Sequence, residues 1–241
     1  MEPAYAQMYR DLYERHWWWR AREDFLITTL RQHCPEQGWS RILDVGCGDG
    51  LFFDKLTEFG DVEGVEPDAS QVGERHRERI HVQPFDDAFQ PGKRYSLILM
   101  LDVLEHLADP AAALLQTHRL LEDGGSIVIT VPAFNSAWTR HDDVNGHQTR
   151  YTRRSMRTVV ERAGLVMRHQ RYFFHWVYVA KLLQRGYEAI LPPREPLPRV
   201  PPNWANQLLY RTSRLESRLL SRLSIPIGGS LLVILDGKSR I

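Results

Sequence analysis

Cysteine is nearly absent from these 241 residues, which contain only Cys34 and Cys47. Two are too few for a disulfide framework, which excludes the stapled secreted class and fits a reducing compartment. Also missing is any run of about eighteen apolar residues, so no segment reads as a bilayer span. Residues 1–10 lack the basic and apolar regions of a secretory leader, and the expected location is cytoplasmic. No sign of charge dominates: 31 lysines and arginines against 30 aspartates and glutamates leave a formal net charge of +1. That balance hides an asymmetry. Residues 42–125 are acidic and residues 150–222 rich in arginine, a basic half that would suit an acidic substrate, nucleic acid or a membrane surface as well as water. What is present, 43% hydrophobic and 25% charged residues, suffices for one α/β domain with a full core and an insertion.

The most informative stretch runs from Ile42 to Gly50. A short apolar run that reads as a buried parallel strand enters a turn with Gly46, Gly48 and Gly50 at every second position, and a helical pattern follows from Leu51. Glycines there permit positive φ and remove Cβ atoms that would hold a ligand off the backbone. The spacing is G-x-G-x-G, not the G-x-G-x-x-G of dinucleotide sites, and Asp44 and Asp49 would repel a pyrophosphate. Two carboxylates suit a ligand bearing an ammonium, a sulfonium and ribose hydroxyls. Some twenty residues on, a second strand ends at Glu66, the position from which a carboxylate accepts ribose hydroxyls.

Further along, Arg75, Arg77 and Arg79 close a polar helix after the second strand, and Ile80 to Val82 forms a third. Tyr95 to Leu101 is a continuous apolar run, the mark of a strand covered on both faces, and Asp102, Glu105 and His106 follow at its carboxyl end. Asp109 and Pro110 supply an N-cap and first position for a helix to Leu121. Ser126 to Val131 makes the fifth strand, and a polar loop rich in histidine and aromatics runs to Tyr151. A helix to Ala163 and a sixth strand, Val166 to Phe174, come next. Two helical stretches, one from Phe173 to Ile190 and one from Asn203 to Leu223, flank a proline-rich connection before a last strand, Ser230 to Leu235.

Asp44 to Gly50, Val65-Glu66-Pro67-Asp68, Leu97 to Pro110 and Leu121 to Pro132, in this order, resemble a class I S-adenosylmethionine-dependent methyltransferase. The likeness covers about Arg41 to Leu165 and is strongest to the small-molecule branch that includes the ubiquinone-biosynthesis O-methyltransferases. It implies a Rossmann-like, doubly wound α/β fold with seven mostly parallel strands, the last antiparallel. Residues 1–40 would form an N-terminal helical cap, 41–174 the core, 175–228 a helical insertion between strands six and seven, and 229–241 the last strand and tail. By the same resemblance S-adenosylmethionine is the cofactor, held by Asp44, Gly46, Gly48, Gly50, Glu66 and Asp102. Trp18 and Arg22 of the cap lie over it, with Arg20 in reserve, the arginine clasping the methionine carboxylate. Asp86 stands where the family places an acid that accepts from the adenine amino group, although Pro84 occupies the position where that acid often falls.

Methyl transfer to a hydroxyl needs a base for the departing proton, and histidine serves near neutral pH. Gly146-His147 followed by Arg150-Tyr151-Thr152 resembles an acceptor-side motif of this branch, so His147 is the first candidate and His106 the second. Asn135, His141 and Tyr151 are the expected acceptor contacts. Asp102, Glu105 and His106 resemble a metal-associated pattern of the ubiquinone branch, with aspartate in place of glutamate, and the expectation is that no metal is used. The expected activity is methylation of a hydroxyl or amine on a small-molecule acceptor. Two alternatives stay open: a non-catalytic cofactor-binding accessory protein, and methylation of a lipid-linked acceptor with peripheral membrane contact through Trp176, Val177, Val179, Leu182 and Leu183. Nucleic acid is disfavoured because the arginines are not interleaved with stacking aromatics. Oligomeric state is not legible.

Overall fold

In the computed structural model residues 10–190, 199–220 and 223–237 are described. Tyr5, Met8 and Tyr9, which fall at helical spacing in the sequence, most of the proline-rich connection and Arg222 lie outside them. Seven apolar stretches become the strands β1 (Arg41–Val45), β2 (Asp61–Glu66), β3 (Ile80–Val82), β4 (Tyr95–Leu101), β5 (Leu121–Pro132), β6 (Val166–Phe173) and β7 (Ser230–Asp236), in the sheet order β3-β2-β1-β4-β5-β7-β6. β1, β2 and β3 pair in parallel, and β7 runs antiparallel to both β5 and β6. This is the Rossmann-like arrangement expected, with its last strand inserted between the fifth and sixth. The described residues divide into two compact units, 10–98 with 199–220 and 99–190 with 223–237.

In the first unit the helix α1 (Trp17–His33) buries Ala21, Phe25, Leu26, Ile27 and Leu30. Each fully buried aliphatic or aromatic side chain contributes roughly 1.5–3 kcal/mol. The three consecutive tryptophans cannot share one face of a helix, and all three are half-buried. The helix α2 (Phe53–Leu56) is a single turn, shorter than the pattern from Leu51 predicts. The polar helix expected before Arg79 is absent: only 3-10 turns form, at Ala69–Gln71 and Arg77–Arg79. That segment buries only Val72, and without an apolar stripe a helix has little tertiary packing to hold it.

The second unit contains α3 (Pro110–Leu120), whose Asp109 cap accepts from the N–H groups of Ala111 and Ala112, both at 3.1 Å, with Pro110 at the first position. α3 ends at Leu120, and β5 begins directly at Leu121, earlier than the Ser126 start read from the sequence. The short α4 (Arg140–Val144) lies in the loop after β5, and α5 (Arg153–Arg162) starts at a Thr152 capping box. Between β6 and β7 come α6 (His175–Ile190) and, in the first unit, α7 (Asn203–Leu220). α7 packs on α1 through buried Asn206, whose amide accepts from Trp17 N–H and donates to the Arg15 carbonyl, both at 2.8 Å.

Candidate active site

After β1 the backbone turns through three left-handed glycines, Gly46 at φ +70°, Gly48 at +54° and Gly50 at +69°. A side chain at these positions would be strained. Gly46 N–H donates to the Val65 carbonyl at 2.8 Å, which locks the turn to β2. Gly48 N–H donates to the Glu66 carboxylate at 3.0 Å, and Asp68 N–H donates to the same carboxylate at 3.0 Å. Among the described residues a Cβ added at Gly48 would meet only the Gln71 amide oxygen, at 3.8 Å, so these residues leave open space over the backbone of the turn.

Asp44, at the base of this turn, is 5% exposed. Burial raises its carboxyl to about 7, with Arg22 opposing the rise and Glu66 adding to it. Arg22 is therefore within electrostatic reach of Asp44, and its guanidinium lies 5.6 Å from the Trp18 ring centre. Arg20, the reserve for the carboxylate clasp, lies 4.1 Å over the ring of Tyr210 on α7. Asp49 is taken up by Arg10 and by Gly73 N–H, the latter at 2.6 Å. Asp86 is exposed and accepts from Ala88 N–H at 2.9 Å, a local turn contact. Cys47 packs so closely on Gly64 that a Cβ there would come 2.4 Å from its sulfur, and burial raises its thiol further from ionisation.

In the second unit the end of β4 turns at Asp102, a non-glycine residue at φ +60°. Its N–H donates to the Thr130 carbonyl at 2.9 Å and its carboxylate accepts from the Thr130 hydroxyl at 3.1 Å. Past β5 the loop is built around Asp142, which is 0% exposed. Arg150 grips it with two N–H groups, at 2.8 and 2.9 Å, and His147 Nδ1 stands 2.8 Å from its Oδ1. Burial pushes the Asp142 carboxyl up, but the bonds from His147 and Arg150 outweigh it and hold the group well below the ordinary carboxylate range. An ionised Asp142 can only accept, so His147 donates to it from Nδ1 and Nε2 is the ring nitrogen not engaged by Asp142.

The His106 ring meets that of His147 edge-on with centres 4.8 Å apart. Burial and the neighbouring His147 hold His106 below the ordinary histidine range. His141 is lowered to about 4 by burial and by Lys181, and stays neutral near pH 7. Asn135 accepts from Arg150 N–H at 2.9 Å. Tyr151 is buried, with its hydroxyl donating to the Leu104 carbonyl at 3.0 Å. Glu105, His106 and His147 bring one ligand atom each within 4.8 Å of one another, a set that could close on a divalent ion. It differs from the pattern in the sequence, where Asp102 stands in place of His147.

One group central to this unit is nearly silent in the sequence, Asp142 beside His147. The capping box in which Thr139 and Asp142 bond each other was the one available clue to Asp142.

A family model described as a methyltransferase domain matches residues 15–170, and the chain belongs to that family. Ubiquinone biosynthesis O-methyltransferase from Bradyrhizobium sp. (strain ORS 278) is 32% identical over 106 residues, 41% of each chain. The corresponding protein of Cereibacter sphaeroides (strain ATCC 17025 / ATH 2.4.3) is 35% identical over 103 residues, 39% of this chain and 41% of that one. The match therefore spans about two fifths of these relatives. In structure the chain is similar to N-methyltransferase NodS from Bradyrhizobium japonicum WM9 in complex with S-adenosyl-L-homocysteine, with a TM-score of 0.56 and 14% identity over 98% of this chain and 100% of that one. That likeness is one of fold.

Proposed function

We propose that this chain transfers a methyl group from S-adenosylmethionine to a hydroxyl of a small-molecule acceptor. The observation that carries the donor half is the turn after β1, three left-handed glycines beside a buried Asp44 that lies within electrostatic reach of Arg22. The open space over Gly48 and the carboxylates at Asp44 and Glu66 fit a nucleoside that bears a sulfonium and an ammonium. S-adenosylmethionine supplies an electrophilic methyl carbon. The Gly48 backbone lets the donor lie close, Glu66 accepts from its ribose, and Arg22 offers a cation to its carboxylate.

On the acceptor side His147 accepts the hydroxyl proton at Nε2 as the oxygen attacks. Asp142 holds the imidazole in the one tautomer that can do this and stabilises the imidazolium that forms. Asn135 and His141 stand in the same loop as acceptor contacts. The relatives named as O-methyltransferases favour a hydroxyl over an amine. Calorimetry with S-adenosylhomocysteine and NAD tests the donor half: binding of the former alone is expected, and binding of NAD instead would end the proposal. Turnover of labelled donor with a catechol panel separates an enzyme from an accessory protein.

A lipid-linked acceptor is favoured by one further observation. The outer face of α6 exposes Val179, Leu183, Tyr187 and Ile190 at 50, 71, 59 and 79%. No helix of the described residues is long and apolar enough to cross a membrane, so any contact of this kind lies on the surface. Liposome cosedimentation is the check, and chain left in the supernatant would remove this reading.

A further inference from the structure

Asp49 lies between Gly48 and Gly50 in the turn that the donor reading uses, yet its own carboxylate is given to other parts of the chain. One oxygen takes the Arg10 guanidinium, and the other accepts from Gly73 N–H at 2.6 Å. Three stretches well separated in sequence meet on this one side chain: residues 10–15, the glycine turn and the loop after β2. The loop after β2 buries only Val72, so polar contacts of this kind are what hold it.

Residues 10–15 are helical and end at His16, whose extended backbone, φ −76° and ψ 134°, separates them from α1. The end next to His16 is anchored: the Asn206 amide donates to the Arg15 carbonyl and the Tyr13 hydroxyl donates to Glu23, both at 2.8 Å, and Leu12 is buried. The Arg10 end is fastened to the turn by an ion pair whose side chains are 35% and 13% exposed. Water and salt reach such a pair, and it opens at small cost. Gly73 marks the same junction. It is not one of the left-handed glycines, so what excludes a side chain there is space: a Cβ would overlap Asp49 Oδ1 and come 2.6 Å from Arg10 Nη2. Both atoms are the ends of movable side chains, so an added methyl displaces the ion pair before it strains the backbone.

We propose that Asp49 is a positioning residue of the donor site, which buckles residues 10–15 to the glycine turn as a strap, and that the donor enters and leaves while Arg10 is released. This rests on the donor reading and adds how exchange at that site is controlled. Asn206 and Glu23 keep the strap attached at its base, so release of Arg10 frees only the far end. Such a strap sets rates more than affinity. Loosening the buckle opens the turn more often with or without donor, so entry and exit speed up by the same factor.

The test is surface plasmon resonance on the immobilised full chain with S-adenosylhomocysteine as the probe. Arg10→Gln and Gly73→Ala should each raise the association and dissociation rate constants together by about three- to fivefold, leaving Kd within about twofold. Arg10→Lys should stay close to the wild type. The double variant Arg10→Gln with Gly73→Ala should be no faster than either single one, because both break the same buckle. Rates in Arg10→Gln within about 1.5-fold of the wild type, or increases that multiply in the double variant, overturn the proposal. So does faster dissociation with unchanged association, or loss of binding in either single variant, since the pair would then be a prop of the turn and not a buckle. Failure of the wild type to bind S-adenosylhomocysteine overturns the donor reading instead.

Discussion

The turn after β1 and the loop after β5 solve the same problem, holding chemical groups still, by opposite means. In the first unit the work is done by backbone: three left-handed glycines and N–H groups aimed at the Glu66 carboxylate. In the second it is done by side chains, with Asp142 gripped by Arg150 and bonded to His147. The backbone site is fixed by local rules of strand, turn and glycine, whereas the side-chain site stands or falls with one buried ion pair.

That contrast is sharpest at Asp142. Replacing it with alanine leaves the Arg150 guanidinium, 1% exposed, without its partner, which in buried pairs costs roughly 3–5 kcal/mol. Urea denaturation should report a loss of that size. A loss under about 1 kcal/mol, the range of an exposed pair, would mean the ion pair does not hold the loop. His147→Ala comes next: kcat should fall about 10²- to 10³-fold with S-adenosylhomocysteine affinity unchanged, and full turnover would remove His147 from the mechanism.

In the first unit the expected effects are smaller. Gly48→Val forces a branched side chain into φ +54° and over the open space above the turn. The strain is on the order of 1–2 kcal/mol, and donor affinity should drop about tenfold or more. Unaltered affinity would place the donor elsewhere. The gentlest probe is pH. Asp44 titrates at about 7 because of its burial, and a cationic donor favours the ionised form, so binding releases a proton. Donor affinity should fall as pH drops through 7 and level off above it, and Asp44→Asn should flatten the curve. A wild-type profile already flat between pH 6 and 8 would argue against contact between Asp44 and a cationic ligand.

The same contrast accounts for what could be read beforehand. Gly48 and Glu66 are eighteen positions apart, yet their association was legible, because a strand, a glycine turn and a second parallel strand leave the chain few ways to run. The Tyr95 to Leu101 run and the Asp109-Pro110 helix start were legible for the same reason. Asp142 and His147 are only five apart, and nothing in the sequence joined them, since a loop without periodicity has no rule for which side chains meet. The segment before Arg79 misled in the reverse direction: its charged residues suit a helix, but a helix needs an apolar face to bury. Asp102 was legible as the residue at the end of β4, but its left-handed backbone was not.

The central claim is that the glycine turn of the first unit binds an adenosyl donor. Titrating S-adenosylhomocysteine into the purified full chain and into Gly48→Val tests it most directly. Saturable binding at one site per chain, weakened by about tenfold or more in the variant, is the predicted result, and either no heat with the wild type or identical affinity in both proteins would contradict it.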